Sequence, residues 1–421
     1  MILGCIADDF TGATDLANML VRGGMRTIQT IGVPASKVEG ADAVVVALKT
    51  RTIAPEEAVT QSLAALKWLK ANGAQQIYFK YCSTFDSTTR GNIGPVMDAL
   101  MQVLNTEFTI ACPAFPENGR TIFRGYLYVG DLLLSESGMK DHPLTPMIDA
   151  NLVRVLQPQT ARKVGLIKYD TVARGADAIR ERIVGLKAEG VGAAVVDAVS
   201  DADLNAIGSA CADLALVTAG SGVGLGIALH HRAAGRLAHA AEAAPLPRLA
   251  GRSAVVSGSC SLATNSQVKY WIDAGKKAIR VETLKLASDP AELPRIVSQA
   301  LEQAAKGPVL VYASAPPEEV RRVQAALGVE RAGQITEAAL SEAARQLVLH
   351  GGVTKLIVAG GETSGAVVQA LGVESLRIGP QIDPGVPWTM SVGPRPIALA
   401  LKSGNFGAID FFDKALRQIE A

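Results

Sequence analysis

Residues 1–15 read MILGCIADDFTGATD, and this stretch decides the fold class. Its first seven residues are apolar without alternation, which is typical of a parallel strand covered on both faces. Asp8 and Asp9 end the apolar run, and a helix is expected to start within the next few residues. The run has no basic flank and no small-residue cleavage site, so we interpret it as a first strand and not as a signal peptide.

The same order of apolar strand, polar or glycine-rich turn and amphipathic helix recurs along the chain and predicts α/β architecture. The composition changes between two such series: residues 235–251 are rich in alanine and proline and lack the pattern. We predict a first domain at 1–234, a linker at 235–251 and a second domain at 252–421. Each domain is expected to be a largely parallel sheet flanked by helices, with an active-site cleft between the two domains. The predicted strands are 2–7, 43–48, 77–81, 108–111, 164–168, 193–197, 214–218, 254–257, 278–281, 309–313, 356–359 and 397–402, and a helix is predicted at 55–70.

Composition excludes several classes of function. A formal charge of +1 in 421 residues offers no basic surface for nucleic acid, and only 5% of residues are aromatic. No apolar run approaches the roughly 20 residues that a membrane helix needs. The five cysteines are scattered, without a C-x-x-C pair, which favours a reducing cytoplasm over a disulfide framework.

The polar residues after the first strand have two interpretations. Asp8, Asp9 or Thr11 could simply cap the following helix, since such oxygens accept its unpaired amides. The turn holds more acidic residues than one cap needs, so at least one carboxylate is expected to face a ligand. A haloacid-dehalogenase-type phosphatase would need a second aspartate two positions on, where this chain has Phe10.

The segment 80–92, KYCSTFDSTTRGN, follows another predicted strand. A solvated turn would explain its serines and threonines but not the convergence of Lys80 and Arg90 with Asp86. Cationic side chains suit a carboxylate or a phosphate. Arg51, also just past a strand, could join them.

Three segments in the second half place small residues after a strand: 256–261 (VSGSCS), 357–365 (IVAGGETSG) and 402–407 (KSGNFG). Each could be an ordinary tight turn, but together they favour a nucleotide-phosphate site built from backbone amides. None matches the P-loop or the G-x-G-x-x-G pattern. The candidate residues are Ser257, Gly258, Ser259, Gly360, Gly361, Glu362, Thr363 and Gly404.

With these segments in order over almost the whole length, the chain resembles the four-carbon acid sugar kinase family. Members that act on threonate or erythronate usually carry Lys-Ile-Asp-Ser-Thr-Leu-Arg-Gly-Asn in the substrate loop, whereas this loop is longer, from Lys80 to Thr88. That form, together with Gly361-Glu362-Thr363 in place of Gly-Asp-Thr, resembles the subgroup that acts on 3-oxo (3-dehydro) four-carbon acids.

The resemblance implies an ATP- and Mg²⁺-dependent kinase that phosphorylates the 4-hydroxyl of the acid. It implies a first domain that binds the sugar acid and a second that binds ATP through the candidates named above. Metal ligands stay unassigned, and a homodimer is possible. In the first domain, Arg51, Lys80 and Arg90 are the candidates for the carboxylate; Asp8, Asp9, Asp86 and Ser87 are those for the hydroxyls, with Asp86 or Asp9 as the catalytic base.

Three alternatives stay open. A kinase of threonate or erythronate would belong to the same family. A nucleotide-independent, Mg²⁺-dependent phosphatase or lyase could use Asp8 and Asp9. A non-catalytic, two-lobed sugar-binding protein would need neither ATP nor turnover.

Overall fold

The computed structural model describes residues 1–142, 145–237, 239–240 and 243–420. The chain divides into two compact units, Met1–Ala244 and Pro245–Ala421. The predicted linker spans this boundary, and its residues 238, 241 and 242 lie outside the described part of the chain.

Eight strands of the first unit pair in the order β2-β3-β1-β4-β11-β5-β10-β9, and every neighbouring pair is parallel. The strands β6, β7 and β8 form a separate, three-stranded antiparallel sheet. The strands are β1 (Leu3–Ala7), β2 (Thr27–Ile31), β3 (Ala43–Ala47), β4 (Gln76–Lys80), β5 (Thr109–Cys112), β6 (Arg120–Phe123), β7 (Tyr126–Val129), β8 (Leu132–Leu133), β9 (Lys163–Ile167), β10 (Val191–Val196) and β11 (Leu216–Ala219). The helices are α1 (Phe10–Arg22), α2 (Pro55–Ala71), α3 (Ile93–Val103), α4 (Leu152–Leu156), α5 (Tyr169–Val172), α6 (Ala176–Ala188), α7 (Asp201–Cys211) and α8 (Gly222–Ala233).

Seven strands of the second unit pair in the order β13-β14-β12-β15-β18-β17-β16. The first five strands in this order are parallel, and β16, β17 and β18 pair antiparallel. The strands are β12 (Arg252–Ser257), β13 (Lys277–Arg280), β14 (Val309–Tyr312), β15 (Val353–Ala359), β16 (Ser375–Asp383), β17 (Val386–Ser391) and β18 (Ala398–Lys402). The helices are α9 (Leu262–Asp273), α10 (Thr283–Ser288), α11 (Glu292–Ala304), α12 (Pro317–Leu327), α13 (Val329–Leu349), α14 (Gly361–Ala370) and α15 (Phe411–Glu420).

Both sets of strands have the burial that their apolar residues predict. Every residue of β1, β3 and β10 is buried, as expected where helices cover both faces of a parallel sheet. In the second unit, Trp271, Trp388 and Phe411 are fully buried in one cluster with β12, β15 and β18. The predicted α/β class is confirmed. None of the helices in the described residues is long and apolar enough to cross a membrane.

Candidate active site

Three neighbouring strands of the first unit bring their carboxyl ends together. In the parallel order β3-β1-β4, Ala7 pairs with Ala47 on one side and with Lys80 on the other. The ladder continues past the strands, because the Asp8 amide donates to the Lys80 carbonyl at 3.1 Å and the Thr50 amide donates to the Asp8 carbonyl at 2.9 Å. The side chains that follow these strands therefore share one edge of the sheet.

Arg51 is the centre of this edge. Its Nε and Nη2 donate to the two oxygens of Asp8 at 2.9 and 2.8 Å, a bidentate pair. Nη2 also lies 2.8 Å from Asp9 Oδ1, and Nη1 lies 3.7 Å from Asp86 Oδ2. Asp8 thus occupies one side of the guanidinium, and Nη1 is the nitrogen with the least engagement.

Asp9 is the N-cap of α1 and also part of the charged cluster. Its Oδ1 accepts from the Gly12 amide at 2.8 Å, and its Oδ2 accepts from the Thr11 hydroxyl at 3.0 Å. Burial opposes ionisation, but Arg51, Lys80 and these hydrogen bonds outweigh it and hold the pKa of Asp9 below its usual value. Asp9 is therefore ionised at neutral pH and has donors on both oxygens.

Lys80 is a buried cation at the end of β4. Its Nζ lies 3.7 Å from Asp9 Oδ1, and its side chain is only 4% exposed. Gly12 makes room for it, because a Cβ at position 12 would overlap both the Lys80 ammonium and the Asp9 carboxylate. The first turn of α1 is thus shaped around this ammonium.

Asp86 lies in the loop between β4 and α3. Its Oδ1 accepts from the Thr84 hydroxyl at 2.5 Å, while Oδ2 has, among the described residues, only the 3.7 Å contact with Arg51. The residue before it, Phe85, has a φ of +53° and is fully buried against Tyr81. A left-handed aromatic residue is strained backbone, and such strain clusters at functional sites.

Two predicted residues of the same loop lie apart from the cluster. Ser87 is fully buried, and its hydroxyl donates to Gln159 Oε1 at 2.6 Å. The Arg90 side chain is exposed and makes no hydrogen bond or ion pair with another described residue. Of the sugar-acid candidates, the structure brings together Asp8, Asp9, Arg51, Lys80 and Asp86.

Two residues that sequence reasoning did not select lie near Lys80. Burial raises the pKa of Asp15, on α1, to about 6, although the Lys80 ammonium acts in the opposite direction. Ser221 follows β11, the other neighbour of β4, and is close to Asp15. Asp15 Oδ1 and Ser221 Oγ are buried and complete no hydrogen bond within the described residues. The signal was available, since Gly220-Ser221-Gly222 after β11 has the strand-turn-helix form used for the second domain.

The three small-residue turns of the second unit meet at one edge of its sheet. Ala359 accepts from the amides of Gly258 and Ser259 at 3.0 and 3.2 Å, and the Gly360 amide donates to the Lys402 carbonyl at 2.9 Å. A Cβ at Gly404 would overlap the Ser259 hydroxyl. The turns that follow β12, β15 and β18 are therefore packed against one another.

Some backbone amides of these turns already donate a hydrogen bond within the protein, and others are available to a ligand. The amides of Gly258 and Ser259, which we expected to hold phosphate, already donate to Ala359. Within the described residues, the amides of Gly361, Glu362 and Thr363, the first turn of α14, have no acceptor, and no side chain caps this helix. Such a helix start attracts anions.

A cavity of about 280 Å³ opens beside this edge, near the lower end of the range for small-molecule sites, roughly 300–1,000 Å³. Gly258, Glu362 and Thr363 line it, which places three of the predicted nucleotide residues on its wall. Ser257 is not among them, because its hydroxyl pairs with Ser314 in the buried core at 2.7 Å. The apolar part of the wall includes Val281, Leu284, Val320, Val323, Val329 and Ala332.

No group of three or more His, Cys, Asp or Glu side chains in the described ranges is arranged to hold a metal ion. Glu362 is the predicted nucleotide residue with a carboxylate, and it lies on the cavity wall. Mg²⁺ in nucleotide sites keeps several waters and takes one or two carboxylates together with the phosphates. Glu282, Glu319 and Glu337 also line the cavity, but Glu362 lies in the first turn of α14 beside the open amides, and its carboxylate fits that mode of binding.

The fold and the two sites define a class of two-domain proteins. A model of a sugar-binding N-terminal domain matches residues 3–227, and a model of a nucleotide-binding C-terminal domain matches residues 254–412. The chain belongs to the four-carbon acid sugar kinase family.

Its relatives are similar over their whole length. The chain is 60% identical to a 3-oxo-tetronate kinase of Pseudomonas fluorescens, covering 99% of this chain and 97% of the relative. A solved protein of Haemophilus influenzae has 45% identity and a TM-score of 0.84, covering 99% of this chain and all of that one. A solved protein of Salmonella typhimurium, described as a putative tRNA synthase, has 45% identity and a TM-score of 0.92 over 99% of both chains.

Proposed function

We propose that this chain is an ATP-dependent kinase that transfers the terminal phosphate of ATP to the 4-hydroxyl of 3-oxo-tetronate. The observation that carries the proposal is 60% identity over nearly the full length with an enzyme named for that reaction. The name of this relative favours the 3-oxo acid over threonate or erythronate. The tRNA synthase description is not favoured for this chain, because relatives with higher identity, at 59–60%, are named 3-oxo-tetronate kinase.

The first unit binds the sugar acid in this proposal. Lys80 and the open Nη1 of Arg51 attract the substrate carboxylate, while Asp8 orients Arg51 through its bidentate pair. Arg90, exposed on the same loop, adds a positive charge on the approach to the site. Ser87 supports the loop from its buried side, because its hydroxyl donates a hydrogen bond to Gln159 Oε1.

Asp86 is the catalytic base in this proposal. Its Oδ2 has no close donor in the described part of the chain, whereas both oxygens of Asp9 accept hydrogen bonds and the pKa of Asp9 is lowered. The substrate 4-hydroxyl oxygen forms a bond to the terminal phosphorus, the bond from that phosphorus to the ADP oxygen breaks, and the hydroxyl proton moves to Asp86. Asp9 holds Arg51, Lys80 and the start of α1 in position.

The second unit binds ATP. The apolar wall of the cavity suits the adenine ring, and the open amides of Gly361, Glu362 and Thr363 suit the phosphates. Glu362 would hold Mg²⁺ through its carboxylate or through a water, and the ion supplies neutralisation of phosphate charge when it is bound. Cytoplasmic location and a homodimer remain predictions, and light scattering of the purified protein tests the dimer.

The experiment is a coupled assay of ADP release with D- and L-threonate, D- and L-erythronate and their 3-oxo forms. We expect the highest kcat/KM with a 3-oxo acid and no release above background without an acid. Turnover of a 3-oxo acid without any nucleotide would support the lyase alternative and overturn the proposal.

A further inference from the structure

Lys402, the last residue of β18, is a fully buried lysine without a carboxylate partner. Its side chain has no exposed surface, and no ion pair with it occurs among the described residues. Its Nζ donates instead to the Thr264 hydroxyl at 2.9 Å and to the carbonyls of Ser403 and Gly404, each at 3.1 Å. The mechanism above does not use this residue.

A cation in this position does not serve stability. Burial lowers the pKa of Lys402 to about 7, and no charged side chain is among the causes. Replacing a buried charged group by an apolar one of similar volume is often neutral or stabilising. A fold that keeps an uncompensated lysine here keeps it for some other purpose.

The contacts of Lys402 fix the orientation of the turn that follows. The Gly404 carbonyl accepts from three donors: Lys402, the Ser261 hydroxyl at 2.6 Å and the Thr264 hydroxyl at 2.8 Å. The peptide bonds of the described chain are trans, so each N–H points away from the carbonyl of the same peptide unit. The amides of Gly404 and Asn405 therefore point away from the ammonium, and neither has an acceptor within the described residues.

The same residue also contacts the neighbouring turn. The Lys402 carbonyl accepts from the Gly360 amide at 2.9 Å, directly before the open amides of α14. Lys402 thus contacts both turns that carry available amides: its ammonium binds the turn of Gly404 and Asn405, and its carbonyl binds the residue directly before α14. Asn405 is exposed, so the turn is accessible to a ligand.

We propose that Lys402 is a positioning residue for the nucleotide phosphates, which holds the Ser403 and Gly404 carbonyls inward and places a positive charge beneath the amides that bind the anion. This inference rests on the proposed function, because it takes ATP as the anion. It assigns the Gly404 turn to the phosphates and not to the adenine ring.

The test compares Lys402→Met with Lys355→Met by calorimetric titration of ADP, AMP and adenosine. Lys355 is also a largely buried lysine, but it lies on β15 opposite Ala398, at the other end of β18. We expect Lys402→Met to weaken ADP binding by roughly 10- to 100-fold, AMP binding by less and adenosine binding not at all. The Met variant should melt no lower than the wild type, and Lys355→Met should bind all three ligands normally.

A second measurement needs no variant. At about pH 8.5 the buried amine is mostly neutral and the ADP phosphates are ionised, so ADP binding should take up a fraction of a proton, read from titrations in buffers of different ionisation enthalpy. Equal ADP affinity in wild type and Lys402→Met, or no proton uptake by the wild type, would overturn the inference. If the wild type itself fails to bind ADP, the proposed function falls as well.

Discussion

At the scale of residues, Asp8, Asp9 and Asp86 surround the two cations Arg51 and Lys80. With all five ionised the cluster has a net charge of −1. The Asp8 carboxylate pairs with Arg51, and the Asp9 carboxylate pairs with Arg51, Lys80 and the first turn of α1. Their negative charges are therefore compensated by groups of the protein itself. Asp86 Oδ2 has only a 3.7 Å contact with Arg51 among the described residues, and for this reason we propose Asp86 as the base.

Replacement of Asp86 by asparagine tests that assignment. We expect kcat to fall by about 10²- to 10⁴-fold, the usual contribution of a general base, because the amide keeps the shape but cannot take the proton. KM for the acid should change little. Steady-state rates of ADP release measure this, and near-normal kcat with saturating acid would remove Asp86 from the role.

Lys402 provides a prediction about pH and stability. Its pKa falls from the usual 10.5 to about 7 in the folded chain, so between these values the unfolded chain binds more protons than the folded chain. Stability of the wild type should therefore rise with pH through this window, by up to about 5 kcal/mol for this group alone. The Tm advantage of Lys402→Met should be largest near pH 7 and shrink towards pH 10. A Tm difference that does not depend on pH would contradict this.

At the scale of elements, the turn from β1 to α1 is tightly packed against Lys80. Asp9 caps the helix, and Gly12 lies in its first turn, against the Lys80 ammonium. The length of the turn brings Asp8 and Asp9 to the sheet edge, and the lack of a side chain at position 12 leaves space for Lys80.

Replacement of Gly12 by alanine should displace Lys80. Because small displacements of binding groups cost up to roughly 10²-fold, we expect KM for the acid to rise by about that factor while KM for ATP stays constant. Gly138→Ala is the matched control, since a Cβ there meets no atom within 4 Å and its φ is not positive. An unchanged KM for the acid in Gly12→Ala would show that Lys80 does not bind it.

The strands that carry the site could be predicted from the sequence, because each is a short apolar run followed by small or polar residues. β2 was not predicted, since Thr27, Gln29 and Thr30 interrupt it. These polar residues are buried and satisfied within the fold; Gln29, for example, accepts from the Thr14 hydroxyl at 2.8 Å. The hairpin of β16 and β17 was also missed, because Pro380, Pro384 and Pro387 are typical of loops.

Some residues of the site could likewise be predicted from the sequence, and others could not. Residues directly after adjacent strands came together, because parallel topology fixes where strands end. Ser87 did not join them, since its direction depends on a loop held by Gln159, 72 residues away. The position of Asp15 near Lys80 depends on the rotation of α1 about its axis, which the spacing of polar residues alone did not reveal.

At the scale of the whole molecule, the candidate residues for the sugar acid and those for ATP belong to two different compact units. Among the described residues, the charged cluster of the first unit is built on Asp8, Asp9, Asp86, Arg51 and Lys80, whereas no aspartate lines the cavity of the second unit. This division predicts that a substitution in one unit weakens the binding of one substrate and leaves the binding of the other unchanged.

Lys80→Met and Gly404→Ala form the corresponding pair of variants. We expect Lys80→Met to raise KM for the acid at least about 30-fold, because a buried carboxylate loses its cation, and to leave ADP affinity unchanged. Gly404→Ala should weaken ADP binding and spare KM for the acid, since the added methyl group overlaps Ser259. Initial-rate kinetics in both substrates measure this, and a variant that alters both constants equally would contradict the division.

The most direct test of the central claim is phosphorus NMR of the wild-type enzyme with ATP, Mg²⁺ and a 3-oxo-tetronate. The expected result is loss of the terminal ATP signal with equal formation of ADP and of a phosphomonoester coupled to the two protons on carbon 4. Release of inorganic phosphate without a phosphomonoester, or consumption of the acid with ATP intact, would contradict the claim.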